Sequence, residues 1–346
     1  MSLVSRIGSV ACCRGWVSRW WVVAAVLALS APLSVAGQAL FRISLENSAD
    51  HVQVRAVQRF ADSLAERTEG RLAVELYSDA RLFRDRDVVA ALIQGKVEMA
   101  LPGTWQLDRF EPAVGVLLLP GFYGRDREFI YRHMEGQLGR EIDSRLAQST
   151  GTVVLGRWID LGPIHLFSVD DPITRHEDIS GLRIRYAGGI VNQMRLAALG
   201  ADPLLIPWPE FRQRLLQREA DGVLTSFESV ASARLWEAGI RFAFEDSQYY
   251  GHYVPLVSPQ YWRRLAPELR QIIQQTWEEH VDQAREDAAR AQAEARARLQ
   301  LQGVQIAVPP QDQLQLWRSI LYAQQPTMIE QLGIDPALVP MIPYLR

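Results

Sequence analysis

Two arginines set two residues apart, Arg183 and Arg185, are the first side chains whose type and spacing suggest chemistry. They stand on a strand-like run, Gly181-Leu182-Arg183-Ile184-Arg185-Tyr186. Alternate residues of a strand share a face, so the arginines lie on one side, with Leu182 and Ile184 turned to a core on the other. Only Arg185 reaches the carboxyl end of the strand, where open α/β sheets bind their ligands. A guanidinium there can grip a carboxylate through two parallel hydrogen bonds, a geometry lysine cannot match. Spacing alone leaves a blander reading open, that Arg185 is one more surface arginine. Lys96 is the only lysine among 37 basic residues, so arginine is everywhere in this chain.

Catalytic patterns are absent. There is no Gly-x-Ser-x-Gly elbow, no phosphate loop, no Gly-x-Gly-x-x-Gly and no His-Glu-x-x-His. The six histidines, His51, His133, His165, His176, His252 and His280, lack metal-ligand spacing. A triad is recognised by geometry and not by chain order, so an enzyme stays conceivable, but the sequence points to binding. No cofactor or metal is expected.

The elements that position Arg185 follow from periodicity. Leu40–Leu45 reads as a strand. A helix follows through Val54, Val57, Phe60, Ala61 and Leu64, with Ser48 or Asp50 as its cap and Gly70 at its end. Leu72–Tyr77 alternates as a strand, 85–94 is helical up to Gly95, and Val97–Leu101 is a third strand. Strand-helix alternation of this kind implies a parallel sheet. The pattern recurs: strand 181–186, helix 190–199 closed by Gly200, short strand 203–206, helix 209–219 and strand 222–225. Two similar α/β units suggest two similar lobes. Extended stretches at 152–159, 164–169 and 252–257 suit crossovers between them. Leu269, Ile272, Ile273, Trp277, Val281, Ala284, Ala288, Ala291, Ala295 and Leu299 form one apolar stripe on a helix from Pro267 to about Gln302. At 1.5 Å per residue that helix spans about 50 Å, enough to brace both lobes.

Residues 1–39 read separately. Arg6, Arg14 and Arg19 precede an apolar run from Trp20 to Ala36, with cleavage expected after Ala36 or Ala39. This is the pattern of a secretory signal peptide and predicts a periplasmic protein. Both cysteines, Cys12 and Cys13, lie in the leader, so the mature chain has no disulfide, thiolate metal site or cysteine nucleophile. Loss of the three leader arginines takes the formal net charge from −3 to −6. Such an acidic protein is a poor partner for nucleic acid.

Four stretches resemble the DctP-type extracytoplasmic solute receptors of TRAP transporters. They are Glu75-Leu76-Tyr77 with Leu82-Phe83-Arg84-Asp85 and Gln94-Gly95-Lys96-Val97-Glu98-Met99; Asp178-Ile179-Ser180-Gly181-Leu182-Arg183-Ile184-Arg185; Leu199-Gly200-Ala201-Asp202-Pro203 with Trp208-Pro209-Glu210-Phe211 and Asp221-Gly222; and the long helix after Trp262-Arg263-Arg264-Leu265-Ala266-Pro267. The order and spacing of all four agree over nearly the whole mature chain. The resemblance implies a two-lobed periplasmic binding protein fold with hinge strands and a long bracing helix. Lobe 1 is expected over 40–161 plus 251–290, and lobe 2 over 162–250 plus 291–346. It implies a receptor, not an enzyme, that closes on a small organic acid and delivers it to the membrane permease subunits of a TRAP transporter, acting as a monomer. A receptor of the same fold serving a sensor kinase or another transporter, or a periplasmic enzyme, is the alternative.

The same resemblance maps the carboxylate clamp onto Arg185 and cleft contacts onto Leu224, Thr225, Ser226 and Glu228. Trp105 suits a cleft wall, and Asn47, Arg86 and Asp87 stand near the expected mouth. Trp208, Tyr186, Phe227, Tyr249 and Tyr250 are candidates for an aromatic lining. Sialic-acid members of the family carry a second arginine where this chain reads Ile164-His165-Leu166-Phe167. Either His165 takes its place or nothing does, which argues against sialic acid as the ligand.

Overall fold

The structure, a computed structural model, describes residues 38–343. The expected leader lies outside the described residues except for Gln38 and Ala39. The chain opens with β1 (Ala39–Ser44), α1 (Val52–Arg67), β2 (Leu72–Tyr77), α2 (Asp85–Ile93) and β3 (Met99–Ala100). β1 pairs in parallel with β2 on one side and β3 on the other. The buried face of α1 comes from Val54, Val57, Phe60, Ala61 and Leu64, the residues whose spacing marked the helix. Its cap is a correction to the sequence reading. His51 occupies that position and its Nδ1 accepts from the Gln53 N–H at 3.1 Å. A turn closed by His51 N–H on the Ser48 carbonyl leaves Ser48 and Asp50 upstream of the helix.

Between β3 and the next strand lies a segment to which the sequence reading assigns no element. Three 3-10 turns (Thr104–Gln106, Pro112–Leu118, Pro120–Phe122) lead into α3 (Arg127–Met134), α4 (Gln137–Thr150) and β4 (Val153–Val154). Proline starts two of these turns, and Val114, Val116, Leu117 and Leu118 are fully buried. Short 3-10 turns lack the 3.6-residue repeat of an α-helix, so their apolar residues show no helical period.

The second sheet begins with β5 (Ile159–Ser168). The repeated unit follows as β6 (Arg183–Tyr186), α5 (Ile190–Ala198), β7 (Asp202–Leu205), α6 (Trp208–Leu216) and β8 (Gly222–Thr225). Here too the first strand is central: β6 pairs in parallel with β7 and with β8. The two units therefore share one strand order. After α7 (Phe227–Ser232) comes β9 (Phe242–Tyr253), which runs antiparallel to β5 with two register shifts, at Asp160/Gly162 and Ile164/Leu166. β10 (Leu256–Val257) then joins the first sheet, next to β3 and β4. The paired strands β5 and β9 thus carry the chain from one sheet to the other.

The remaining elements are α8 (Pro259–Arg264), α9 (Pro267–Leu301), β11 (Gln305–Ala307), α10 (Gln311–Tyr322) and α11 (Gln325–Leu332). α9 packs against α1, α7 and β5, as a brace must. Its stripe is buried from Ile273 to Leu299. It also satisfies carbonyls of the strand that crosses between sheets. Trp277 Nε1, Arg285 Nε and Gln292 Nε2 donate to the carbonyls of Arg157, Trp158 and Leu161 at 2.9, 2.9 and 2.7 Å. Backbone groups buried under a helix need such partners. No helix among the described residues is long and apolar enough to cross a membrane.

Candidate ligand-binding site

Arg185 ends up buried, not on the surface. It is 2% exposed, whereas the Arg183 side chain is 41% exposed and forms an ion pair with Asp221 at 2.6 Å. The strand pattern explains the difference: the two share a face, but Arg185 lies one pleat closer to the mouth. Its Nε donates to the Ile206 carbonyl at 2.9 Å. The rings of Trp208 and Phe211, both on α6, stand 5.2 and 5.3 Å from its Cζ. These contacts fix the plane of the fork and leave both Nη groups without a protein partner among the described residues. Burial pulls the guanidinium down to about 10, partly offset by the charge of Glu46, so it stays cationic at neutral pH. A buried charge without a counter-ion is costly, and an anion held by the two Nη groups would offset that cost.

Arg185 faces a small inner cavity of about 30 Å³ between the two sheets. Asn47, Trp105, Trp208, Leu224, Thr225 and Tyr249 line it too, all of them named by the sequence reading. An outer chamber of about 400 Å³ adjoins it, lined by Tyr186 and Arg86 among others. Glu46, Trp105, Ala187 and Trp208 belong to both walls and form the neck between them.

Other candidates go elsewhere. Ser226 caps α7, its hydroxyl accepting from the Ser229 N–H at 3.1 Å. Phe227 packs edge-on against Phe167 beneath the second sheet. His165 is buried against Phe227, and its Nδ1 accepts from the Ser247 N–H at 3.1 Å, outside both cavities. Tyr250 turns to Asp160, donating at 3.1 Å. Asp87 is exposed beside Arg86. Glu228 is buried but lines neither the inner cavity nor the outer chamber.

Several contacts join elements of the first sheet to elements of the second around these cavities. Asp108 accepts from the Ile190 N–H at the start of α5 at 2.6 Å, and Gln106 Nε2 donates to the Ala187 carbonyl at 2.7 Å. Arg84 pairs with Glu210 at 2.6 Å. On the other side, Glu228 Oε1 accepts from the Val52 N–H at 2.9 Å, and its Oε2 lies 2.9 Å from His51 Nε2. The cleft is closed.

Residues 43–331 match the bacterial extracellular solute-binding protein family 7, DctP. The chain belongs to this family. Among curated relatives, the 2,3-diketo-L-gulonate-binding periplasmic protein YiaO of Escherichia coli is 25% identical over 280 residues, covering 81% of this chain and 84% of the relative. The C4-dicarboxylate-binding periplasmic protein DctP of Rhodobacter capsulatus is 26% identical, covering 75% and 76%. A TRAP periplasmic solute binding protein from Sulfurospirillum deleyianum, solved with bound succinate, superposes with a TM-score of 0.82 at 21% identity, covering 90% of this chain and 100% of that one. The sugar acid binding protein DctPAm from Advenella mimigardefordensis, solved with galactonate, gives 0.82 at 17% identity, covering 88% and 96%. Those likenesses establish the two-lobed fold.

In this family 7 receptor, four side chains at or behind the cavity were not singled out from sequence. Glu46 and Asp85 are immediate neighbours of the residues named there, Asn47 and Arg86. Glu46 directly follows Leu45, the buried residue just past β1, and Asp85 opens α2 and accepts from the Gly103 N–H at 3.3 Å. Tyr253, at the end of β9, accepts from Asn47 Nδ2 at 2.9 Å. Arg195 is fully buried behind Tyr249, its Nη groups donating to Leu118 O and Asn192 Oδ1 at 2.6 Å. Position at a strand end was the available signal for Glu46. Arg195 reads as one more helical arginine.

Proposed function

We propose that this protein is the periplasmic receptor of a TRAP-type uptake system, closing its two lobes on a small organic acid whose carboxylate is held by Arg185. One observation carries this reading: a buried cation at the tip of β6, without a carboxylate in ion-pair range among the described residues, faces the gap between two sheets. The assignment of 40–161 plus 251–290 to one lobe and 162–250 plus 291–346 to the other is part of the proposal. The cross-cleft contacts support hinge closure about β5 and β9. Delivery to membrane permease subunits is part of the same proposal, supported by family membership. The ligands of the relatives, among them succinate and galactonate, support an organic acid as cargo.

Arg185→Ala is expected to weaken binding of a cognate carboxylate by roughly 30- to several-thousand-fold, equivalent to about 2–5 kcal/mol. Arg183→Ala, which breaks only a half-exposed ion pair, is expected to change it by less than about fivefold. Isothermal titration of both variants checks this. Unchanged affinity in Arg185→Ala would remove that residue from the site.

A further inference from the structure

We infer that the ligand is a monocarboxylate whose far end donates hydrogen bonds, hydroxyl or ammonium, to Glu46 and Asp85, and that the site rejects a second carboxylate. This rests on the proposed grip of Arg185 on one carboxylate and adds what the rest of the ligand must be.

The charge pattern of the inner cavity carries the inference. Arg185 is the sole cation among the described residues that line it, and Glu46 and Asp85 stand in the same wall. Asp85 is 6% exposed. One of its oxygens takes the Gly103 N–H at 3.3 Å, and the other has no partner among the described residues. Glu46 Oε1 takes the Asp85 N–H at 3.3 Å, and its second oxygen has none. Among the described residues no lysine, arginine or histidine lies within ion-pair distance of either acid. A carboxylate as buried as Asp85 is normally paired or well bonded, and Glu46 beside it is half-buried, so a donor on the ligand would complete the bonding of both. The remaining polar lining is uncharged: the Asn47 amide and the hydroxyls of Thr225, Ser229, Tyr249 and Tyr253. The Asn47 amide is committed to Gln53 Oε1 at 2.7 Å and Tyr253 Oη at 2.9 Å. Burial pushes both acids up, and the Glu46 charge adds to the effect on Asp85, while the Asp85 N–H and the charges of Arg185, Arg84 and Arg86 draw Glu46 back down. A hydrogen bond donated by the ligand favours the charged form of each.

Position agrees with charge. Glu46 lines both the inner cavity and the outer chamber. A ligand anchored at Arg185 must pass it, between Trp105 and Trp208, to reach the larger space. A second carboxylate on that path meets the Glu46 and Asp85 carboxyl groups before it reaches Arg86 and Arg109 in the outer chamber wall, and where water is excluded like charges repel strongly. Hydroxyls or an ammonium group meet the two acids with charge-assisted hydrogen bonds instead.

The test is calorimetric titration of the purified protein with matched probes of four to six carbons: galactonate for hydroxyls, 4-aminobutyrate for an ammonium group, butyrate for neither and succinate for a second carboxylate. Either donor-bearing probe is expected to bind at least about 10-fold tighter than both succinate and butyrate, and which of the two does so identifies the donor. Glu46→Gln is expected to cut that preference by about 10-fold or more, with unchanged thermal unfolding to show an intact fold. Tighter binding of succinate, lost in Arg185→Ala, overturns this inference and leaves the proposed function standing. Binding of none of the four overturns this inference, and binding indifferent to Arg185→Ala overturns both. A preference unmoved by Glu46→Gln and by Asp85→Asn also overturns the inference.

Discussion

Arg185 and His252 show how burial acts on two bases with different outcomes. Loss of water disfavours the charged form of each. Arginine starts so high that about 10 still leaves it cationic and able to hold an anion. Histidine starts within the physiological range, and burial, helped by the charge of Arg285, takes His252 to about 3. His252 is therefore neutral in the folded protein and protonated in the unfolded chain between pH 6.5 and 3. The unfolded state binds the extra proton there, so this group removes stability as pH falls through that window. His165, also lowered by burial, acts in the same sense. Asp160, raised to about 6 by burial, acts in the opposite sense below pH 6, since the folded state keeps its proton. His252→Leu removes the histidine directly and changes the surroundings of Asp160, whose Oδ1 lies 3.7 Å from His252 Nε2. Urea unfolding between pH 6.5 and 4.5 is expected to show a shallower loss of stability on acidification in the variant, by up to about 1.4 kcal/mol per pH unit. Parallel pH profiles would contradict a neutral His252. Neither ring nitrogen has a hydrogen-bond partner among the described residues, so leucine strands no donor at neutral pH.

At the scale of elements, the start of α5 shows how closely the two halves of the site approach. Gly188 has φ +149°, and a Cβ there would meet the Trp105 carbonyl oxygen at 2.6 Å. Trp105 belongs to the 3-10 turn after β3, whereas Gly188 follows β6, so this contact exists only with the cleft shut. Gly188→Ala is expected to weaken ligand binding by about 10-fold or more, because the clash falls on the closed arrangement. Titration of the variant against the parent tests this, and equal affinity would show that closure does not need that approach. Strands and helices of this kind were largely legible in the sequence. The β-α-β-α-β rhythm gave β1, β2, β6 and β8 and the helices between them, because strand and helix periods differ sharply. The stripe from Ile273 to Leu299 gave the brace. In the 104–150 segment the 3-10 turns carry no period, whereas α4 does carry one, with Leu138, Ile142 and Leu146 buried at four-residue steps, a signal the sequence reading missed. β9 was seen only at its end, since its Glu245, Asp246, Ser247 and Gln248 break the apolar pattern that marks a strand. In the site, the family resemblance pointed to Arg185 and Thr225, and residue type and position to Trp105 and Trp208, all four of which line the inner cavity. Both missed Glu46 and Asp85, one residue from positions that were named, because which way a strand-end or helix-start side chain turns depends on the tertiary fold.

The described molecule is two α/β units of one strand order, joined by β5 and β9 and braced by α9, with the buried Arg185 at their junction. Neither unit alone makes the cavity: Asn47, Asp85 and Trp105 come from the first, and Arg185, Trp208 and Thr225 from the second. A guest that touches both walls therefore binds the shut arrangement better than an open one and shifts the balance toward it. Asp108 on the Ile190 N–H, Arg84 with Glu210, and Glu228 on the Val52 N–H hold the shut form from two sides. The most direct measurement of this account is a crystal structure of the protein with its tightest-binding organic acid. It should show one carboxylate of the guest bridging the two Nη groups of Arg185 at about 2.8 Å. A guest whose acid group sits on another cation, or that rests outside the space between the two sheets, would contradict the account.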